Sequence, residues 1–194
     1  PWRLIANQIP MARVHVPNLS GTSLVPEIVD PNDPVATALA KMARIGELDL
    51  PIYLDTWDGY PDARERFYTL CREAGATDLL VLTGDSHAFW ANALFDKQGR
   101  SMGLELGTSG ISSPGDFERF GPEGSRQMDR LLAEHNPEVI WTDNSHRGYV
   151  RIVLTQQSGR ADFVAVSDVL SRDFQVRQVK RMPLERNDGR LSYG

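Results

Sequence analysis

Apolar positions along this chain change their period twice, and each change marks a different kind of element. From Pro34 to Ala43 they return at helical spacing: Val35, Leu39, Met42 and Ala43 share one face, with Asp33 as the expected N-cap and Pro34 as the first helical residue. A second helix is expected from Asp62, which has capping-box spacing to Glu65, along a stripe of Phe67, Leu70, Cys71 and Ala74 to a closing Gly75. That stripe places Cys71 in the core. The run Leu79-Leu80-Val81-Leu82-Thr83 is continuously apolar, as in a strand of a sheet covered on both faces. Residues 88–94 read as a short helix, 102–106 as a strand, 124–134 as a helix with Met128, Leu131 and Leu132 inward, and 139–141 as a short strand. From Gly148 onward the spacing is that of strands joined by tight turns: 149–155, a turn at Ser158-Gly159, 162–166, and a weaker run over 174–182.

Breakers divide the remainder. Residues 3–8 form an expected strand that ends in two amides, Asn7 and Gln8. The stretch 10–33 carries Pro10, Pro17, Gly21, Pro26 and Pro31 and is expected to be an extended surface loop. Residues 51–55 read as a strand leading into the polar and aromatic cluster Asp55-Thr56-Trp57-Asp58-Gly59-Tyr60-Pro61. The whole pattern is α/β: a mixed sheet with flanking helices, closed by antiparallel strands at the C-terminus.

Composition changes this picture little. A length of 194 residues suits one core that buries roughly 70% of the unfolded surface. With 26 acidic against 21 basic residues and a net charge of -5, no basic stripe of the kind nucleic acid requires is present. No apolar run approaches the ~18 residues of a membrane span. The chain opens on Pro1 without a leader, which reads as a piece of a longer protein. Cys71 is the single cysteine, so no internal disulfide can form.

The most informative chemistry lies where the apolar strand ends, in Gly84-Asp85-Ser86-His87. Open α/β sheets bind ligands outside their strand ends, and carboxylate and imidazole are both good metal donors. Asp85 could equally cap a following helix, with His87 packing on Trp90. Around Trp57-Asp58-Gly59-Tyr60, Asp58 is either an acceptor beside the cleft or a turn cap, and Asn7 and Gln8 either reach a site or satisfy neighbouring backbone. His15, His135 and His146 are assigned solvated or packing roles.

Taken in order, Ile5-Ala6-Asn7-Gln8, Trp57-Asp58-Gly59-Tyr60-Pro61 with Arg64, Leu82-Thr83-Gly84-Asp85-Ser86-His87 with Trp90, and Gly148-Tyr149 resemble the second half of the alkaline phosphatase D (PhoD-like) family of calcineurin-like metallophosphoesterases. The superfamily's last metal motif is usually Gly-His-x-His; here aspartate replaces the first histidine. The resemblance implies hydrolysis of phosphate mono- or diesters by a metal-activated hydroxide, with His87 and Asp85 as metal ligands and Asp58 and Asn7 near substrate or behind the ligands. It also implies iron and calcium as cofactors and export to the periplasm or exterior. The family's Asp-x-His, Gly-Asp-x-x-Asp and Gly-Asn-His/Asp motifs are not found. The expectation is therefore that residues 1–194 form the C-terminal part of the domain. Alone, the chain would bind metal poorly, lack activity, and self-associate or pair with the N-terminal half through an uncovered apolar sheet edge.

Two other classes compete. Gly84-Asp85-Ser86 resembles the nucleophile block of GDS-type serine esterases, and Asp143-Asn144-Ser145-His146 has their Asp-x-x-His spacing, so Ser86 could attack with His146 as base and Asp143 orienting it. The block lies mid-chain, however, and no Gly-x-Asn-Asp block accompanies it. The third class is a non-catalytic structural or partner-binding domain.

Overall fold

The computed structural model describes residues 2–25, 30–187 and 189–194. Pro1 and Pro26, which entered the sequence reading, lie outside them. In chain order the elements are β1 (Arg3–Ala6), α1 (Pro34–Glu47), α2 (Pro61–Glu73), β2 (Leu79–Thr83), β3 (Phe89–Phe95), β4 (Ser101–Gly107), α3 (Gly121–His135), β5 (Val139–Asp143), β6 (Arg147–Leu154), β7 (Ser158–Val166), β8 (Val176–Asn187) and β9 (Arg190–Tyr193). Short 3-10 turns occupy Trp57–Gly59 and Glu118–Phe120.

The first sheet is mixed, ordered β1-β2-β4-β3-β5, with β1, β2 and β4 parallel and β3 antiparallel to both neighbours. The second is antiparallel, ordered β6-β7-β8-β9. Because successive strand residues face opposite ways, β2 sends Leu79 and Val81 to one core with Tyr68, Met128 and Leu132, and Leu80 to another with Phe163, Met182 and Leu184. The second core joins the two sheets. At its centre the Phe163 ring meets Trp141 edge-on at 4.8 Å and Phe89 at 5.6 Å, favourable aromatic arrangements. The expected α/β class is thus realised, with helices flanking the mixed sheet and antiparallel strands at the end.

Capping explains α1 as expected: the Asp33 side chain accepts from Val35 N and Ala36 N, a cap of about 1 kcal/mol. For α2 the expected capping box does not form, since Tyr60 is the N-cap and makes no side-chain cap hydrogen bond. Its buried positions are Arg64 and Tyr68, with Phe67 and Cys71 packed partly behind them, whereas Leu70 is exposed. Gly75 (φ 66°) closes the helix: its N–H bonds Arg72 O and that of Ala76 bonds Cys71 O.

Three expectations are corrected. The expected helix over 88–94 is replaced by the strand Phe89–Phe95: Ala88, Trp90 and Leu94 face the helix-side core while Phe89 and Ala91 face the second sheet. With both faces covered, the polar alternation that would mark a strand is missing. Residues 51–55 are not a strand; only Pro51 pairs, in an isolated bridge to His15. The stretch 10–33 does not lie wholly on the surface, because Met11, Ala12, Val14, Val16 and Leu19 are buried.

That burial is possible because six consecutive amides find partners outside any regular sheet. Met11 N and Ala12 N donate to the Glu105 carboxylate (2.5 and 3.1 Å), Arg13 N to Glu138 (2.6 Å) and Val14 N to Asp58 (3.0 Å). His15 N donates to Asn136 Oδ1 (2.7 Å) and Val16 N to Leu50 O (3.0 Å). A buried backbone with no ladder needs such acceptors.

Candidate functional site

The turn after β2 is built from its neighbours. Gly84 N donates to Gln8 O (3.2 Å), Thr108 N to Thr83 O (3.0 Å) and Ser86 N to Gly84 O (2.8 Å). Within this frame Asp85 (φ 68°) and His87 (φ 54°) take left-handed backbone conformations that non-glycine residues seldom adopt. Both line a cleft of about 250 Å³ together with Ser86, Tyr53, Asp55, Thr56 and Asp116. Asp85 is exposed and His87 half-buried.

His87 Nδ1 lies 3.1 Å from Pro114 O. A carbonyl can only accept, so Nδ1 carries the proton, and Nε2 is the nitrogen that bears the lone pair whenever the ring is neutral. Among the described residues nothing hydrogen-bonds to that Nε2. The same arrangement orients metal-ligating histidines. Of the six residues that line the cleft with His87, Asp55, Asp85 and Asp116 are acidic and Tyr53, Thr56 and Ser86 carry hydroxyls. The Tyr53 hydroxyl donates to Asp116, and burial, reinforced by the charge of Asp116, pushes the phenol well above its usual range, so it stays a donor.

Tyr53, Asp55, Thr56 and Asp116 were not singled out by sequence. The polar cluster beginning at Asp55 was the available signal for two of them; Asp116 sits in a stretch rich in Gly, Ser and Pro with none. Asp58 and Asn7 are not among the residues lining the cleft. Asp58 is engaged by Arg64 (3.2 Å) and Val14 N (3.0 Å), and the Asn7 side chain donates to Ile9 O (2.7 Å).

Among the described residues no group of three or more His, Cys, Asp or Glu side chains is arranged to hold a metal ion. Asp85 and His87 supply two donors of suitable chemistry, which fits part of a coordination shell and not a whole one.

Of the three esterase residues, His146 and Asp143 come together but Ser86 lies in another cleft. Ser86 Oγ accepts from Trp90 Nε1 (2.8 Å), whereas His146 lines a different cleft of about 380 Å³ with Asp129, Asp143 and Ser145. His146 Nδ1 lies 2.7 Å from Asp143, and its Nε2 accepts from Arg177 at 2.6 Å. Burial opposes the charge of Asp143, but hydrogen bonds from the His146 ring and from the Ser145 and His146 amides hold its pKa below the usual value. Asp129 is pushed up to about 6, chiefly by burial.

A layered α/β scaffold that offers a carboxylate and an oriented imidazole at the end of a central strand is consistent with a metallophosphoesterase. The sequence model of the PhoD-like phosphatase family matches residues 1–163, and the chain belongs to this family. Alkaline phosphatase D of Bacillus subtilis (strain 168) is 37% identical over 118 residues, covering 58% of this chain and 19% of that protein. The solved structure of PhoD shares the fold, with a TM-score of 0.68 at 23% identity over 99% of this chain and 31% of that one. The chain therefore spans about a fifth of the length of the curated relative it matches.

Proposed function

We propose that residues 1–194 are the C-terminal part of a PhoD-like phosphatase domain, and that Asp85 and His87 contribute one edge of its phosphoester-hydrolysing site. The observation that supports this best is the oriented His87 ring, whose Nδ1 is held by Pro114 O while Nε2 is left open beside Asp85. His87 and Asp85 would hold a metal ion jointly with donors from an N-terminal half. When bound, such an ion polarises phosphoryl oxygens and lowers the pKa of water toward about 7. The chain's own task is to present the two donors at a fixed angle and to keep Ser86 engaged with Trp90 rather than attacking. Iron and calcium as the metals, phosphate mono- or diesters as substrates and a location outside the cytoplasmic membrane follow from the family resemblance. Among the described residues no helix is long and apolar enough to cross a membrane.

The test is made in the full-length enzyme. His87→Ala should lower bound metal and phosphatase turnover together, by tenfold or more, and Asp85→Asn should act in the same direction. Ser86→Ala should keep most activity, while a chelator should abolish it. The isolated 194-residue chain, assayed alongside, should bind metal weakly, associate with itself or the N-terminal half, and show no turnover. Full metal occupancy and normal turnover in His87→Ala would overturn the ligand assignment, and covalent labelling of Ser86 by a fluorophosphonate would restore the esterase.

A further inference from the structure

The oriented imidazole of His87 depends on a carbonyl, Pro114 O, that belongs to a loop without regular structure between β4 and the Glu118–Phe120 turn. Such a loop holds an acceptor in place only if something rigid holds the loop. The first two residues of β6 do so. Arg147, with 6% of its side chain exposed, donates from Nε to Ser113 O (2.8 Å), from Nη1 to His146 O (2.9 Å), and from Nη2 to the Glu118 carboxylate. Gly148 N donates to Ser109 Oγ (3.0 Å). The loop is thereby fastened to β6 near both ends, and Pro114 directly follows the carbonyl that Arg147 grips.

The fit around this guanidinium is close. A Cβ built on Gly115 would lie 2.5 Å from Arg147 Nη2 and 2.8 Å from Asn144 O, so the loop passes the arginine where only glycine fits. Lysine could not replace it, because one ammonium cannot span a carbonyl and a carboxylate with the planar fork.

We infer that Arg147 is a positioning residue for His87: by fixing the Ser113–Pro114 carbonyls it selects the Nδ1–H tautomer and leaves Nε2 free toward the cleft. The inference concerns the ring itself, and it bears on catalysis only through the functional reading above.

The experiment reads the tautomer directly. Long-range proton–nitrogen NMR on the 194-residue chain at alkaline pH, with His15 and His135 as internal controls, should show His87 protonated on Nδ1. Arg147→Met should shift the His87 tautomer ratio toward Nε2–H by about two- to tenfold, the range one hydrogen bond of ordinary strength supports, and leave the controls unmoved. Should Arg147→Met fail to fold, Gly115→Ala, which crowds the guanidinium without removing it, should move the ratio the same way. In the full-length enzyme either variant should weaken metal binding about tenfold. His87 protonated on Nε2 in the unsubstituted chain, or a ratio unchanged in the variants, overturns the inference. Neither outcome depends on whether the enzyme hydrolyses phosphate esters, so a failure of the functional reading would be seen separately, in the turnover of His87→Ala.

Discussion

A single buried carboxylate, Glu105, holds the start of the buried 11–16 segment. It lies on β4, fully buried, and accepts from Met11 N, Ala12 N and Asn92 Nδ2 (2.5, 3.1 and 2.8 Å). Glu105→Ala would strand three buried donors, each costing about 1 to 3 kcal/mol when left unsatisfied. The lost side chain also leaves a void. Even if water re-enters and serves one donor, a loss of about 4 kcal/mol is expected, against a total stability of about 5 to 15 kcal/mol for a domain. Glu105→Gln separates the two effects acting here. Burial raises the pKa of Glu105, and the three hydrogen bonds offset this only in part. Glutamine removes the buried charge but keeps one acceptor oxygen, so its cost should be about half that of alanine. The raised pKa also fixes the sign with pH. The group's favourable contribution is present below the ordinary carboxylate range and lost as pH rises through its folded value, so the advantage of Glu105 over glutamine should shrink toward neutral pH. Urea unfolding followed by tryptophan fluorescence gives the stabilities, and hydrogen exchange at Met11 and Ala12 reports the donors themselves. If Glu105→Ala stays within about 1 kcal/mol of the parent with both amides still protected, the 11–16 segment is held by something other than these bonds.

Two further outcomes are expected. On the outer side of the second sheet Asp162 is held down to about 2 from an ordinary 3.8, first by the Arg181 hydrogen bond and then by Arg151 and Arg160, against burial. The stabilisation is therefore present above pH 4 and lost as pH falls toward 2, so the stability gap between the parent and Asp162→Asn should close over that interval, and a gap constant with pH would refute it. Gly103 (φ 136°) lets β4 approach β2 so closely that a Cβ would lie 2.0 Å from Leu79 O; Gly103→Ala should cost about 3 kcal/mol or more by calorimetry, and a change under about 1 kcal/mol would show that the strands can part.

The sequence revealed elements wherever a local rule was sufficient. Asp33 and Pro34 start α1 as expected, and the uniform apolarity of 79–83 marked β2 as covered on both faces. The same uniformity misled at 88–94, where Ala88 to Leu94 carry no exposed polar position from which a period of two could be read. The buried course of 11–19 was illegible for a different reason. Its amides are served by Glu105, Glu138 and Asn136, about a hundred residues away, and no local pattern encodes such a partner. The site divides likewise. Asp85 and His87 were visible as a strand-end motif, but Tyr53, Asp55, Thr56 and Asp116 enter the cleft only through tertiary packing.

Backbone strain separates the Asp85–His87 turn from other surface turns. Among the described residues, three non-glycine residues have positive φ: Asp49, Asp85 and His87. Asp49 (φ 50°) follows the C-cap of α1, and its N–H bonds Gly46 O, so helix termination alone accounts for it. No helix ends at Asp85 or His87. Each left-handed residue costs on the order of 1 kcal/mol or more and persists only where its surroundings over-determine it. Here the surroundings are Gln8 O on Gly84, Thr108 N on Thr83, Trp90 Nε1 on Ser86 and Pro114 O beside His87, contributed by four different stretches of chain. In an extended strand residues 85 and 87 would share one face only by continuing away from the sheet. Two left-handed positions one residue apart instead curl the chain back, so that both side chains line the same cleft within one turn. Burial of Ser86 against Trp90 accounts for the middle of the turn, but Asp85 is exposed, so packing of its own side chain does not account for its left-handed backbone. The strain is explained if the turn exists to aim a carboxylate and an imidazole at a common point.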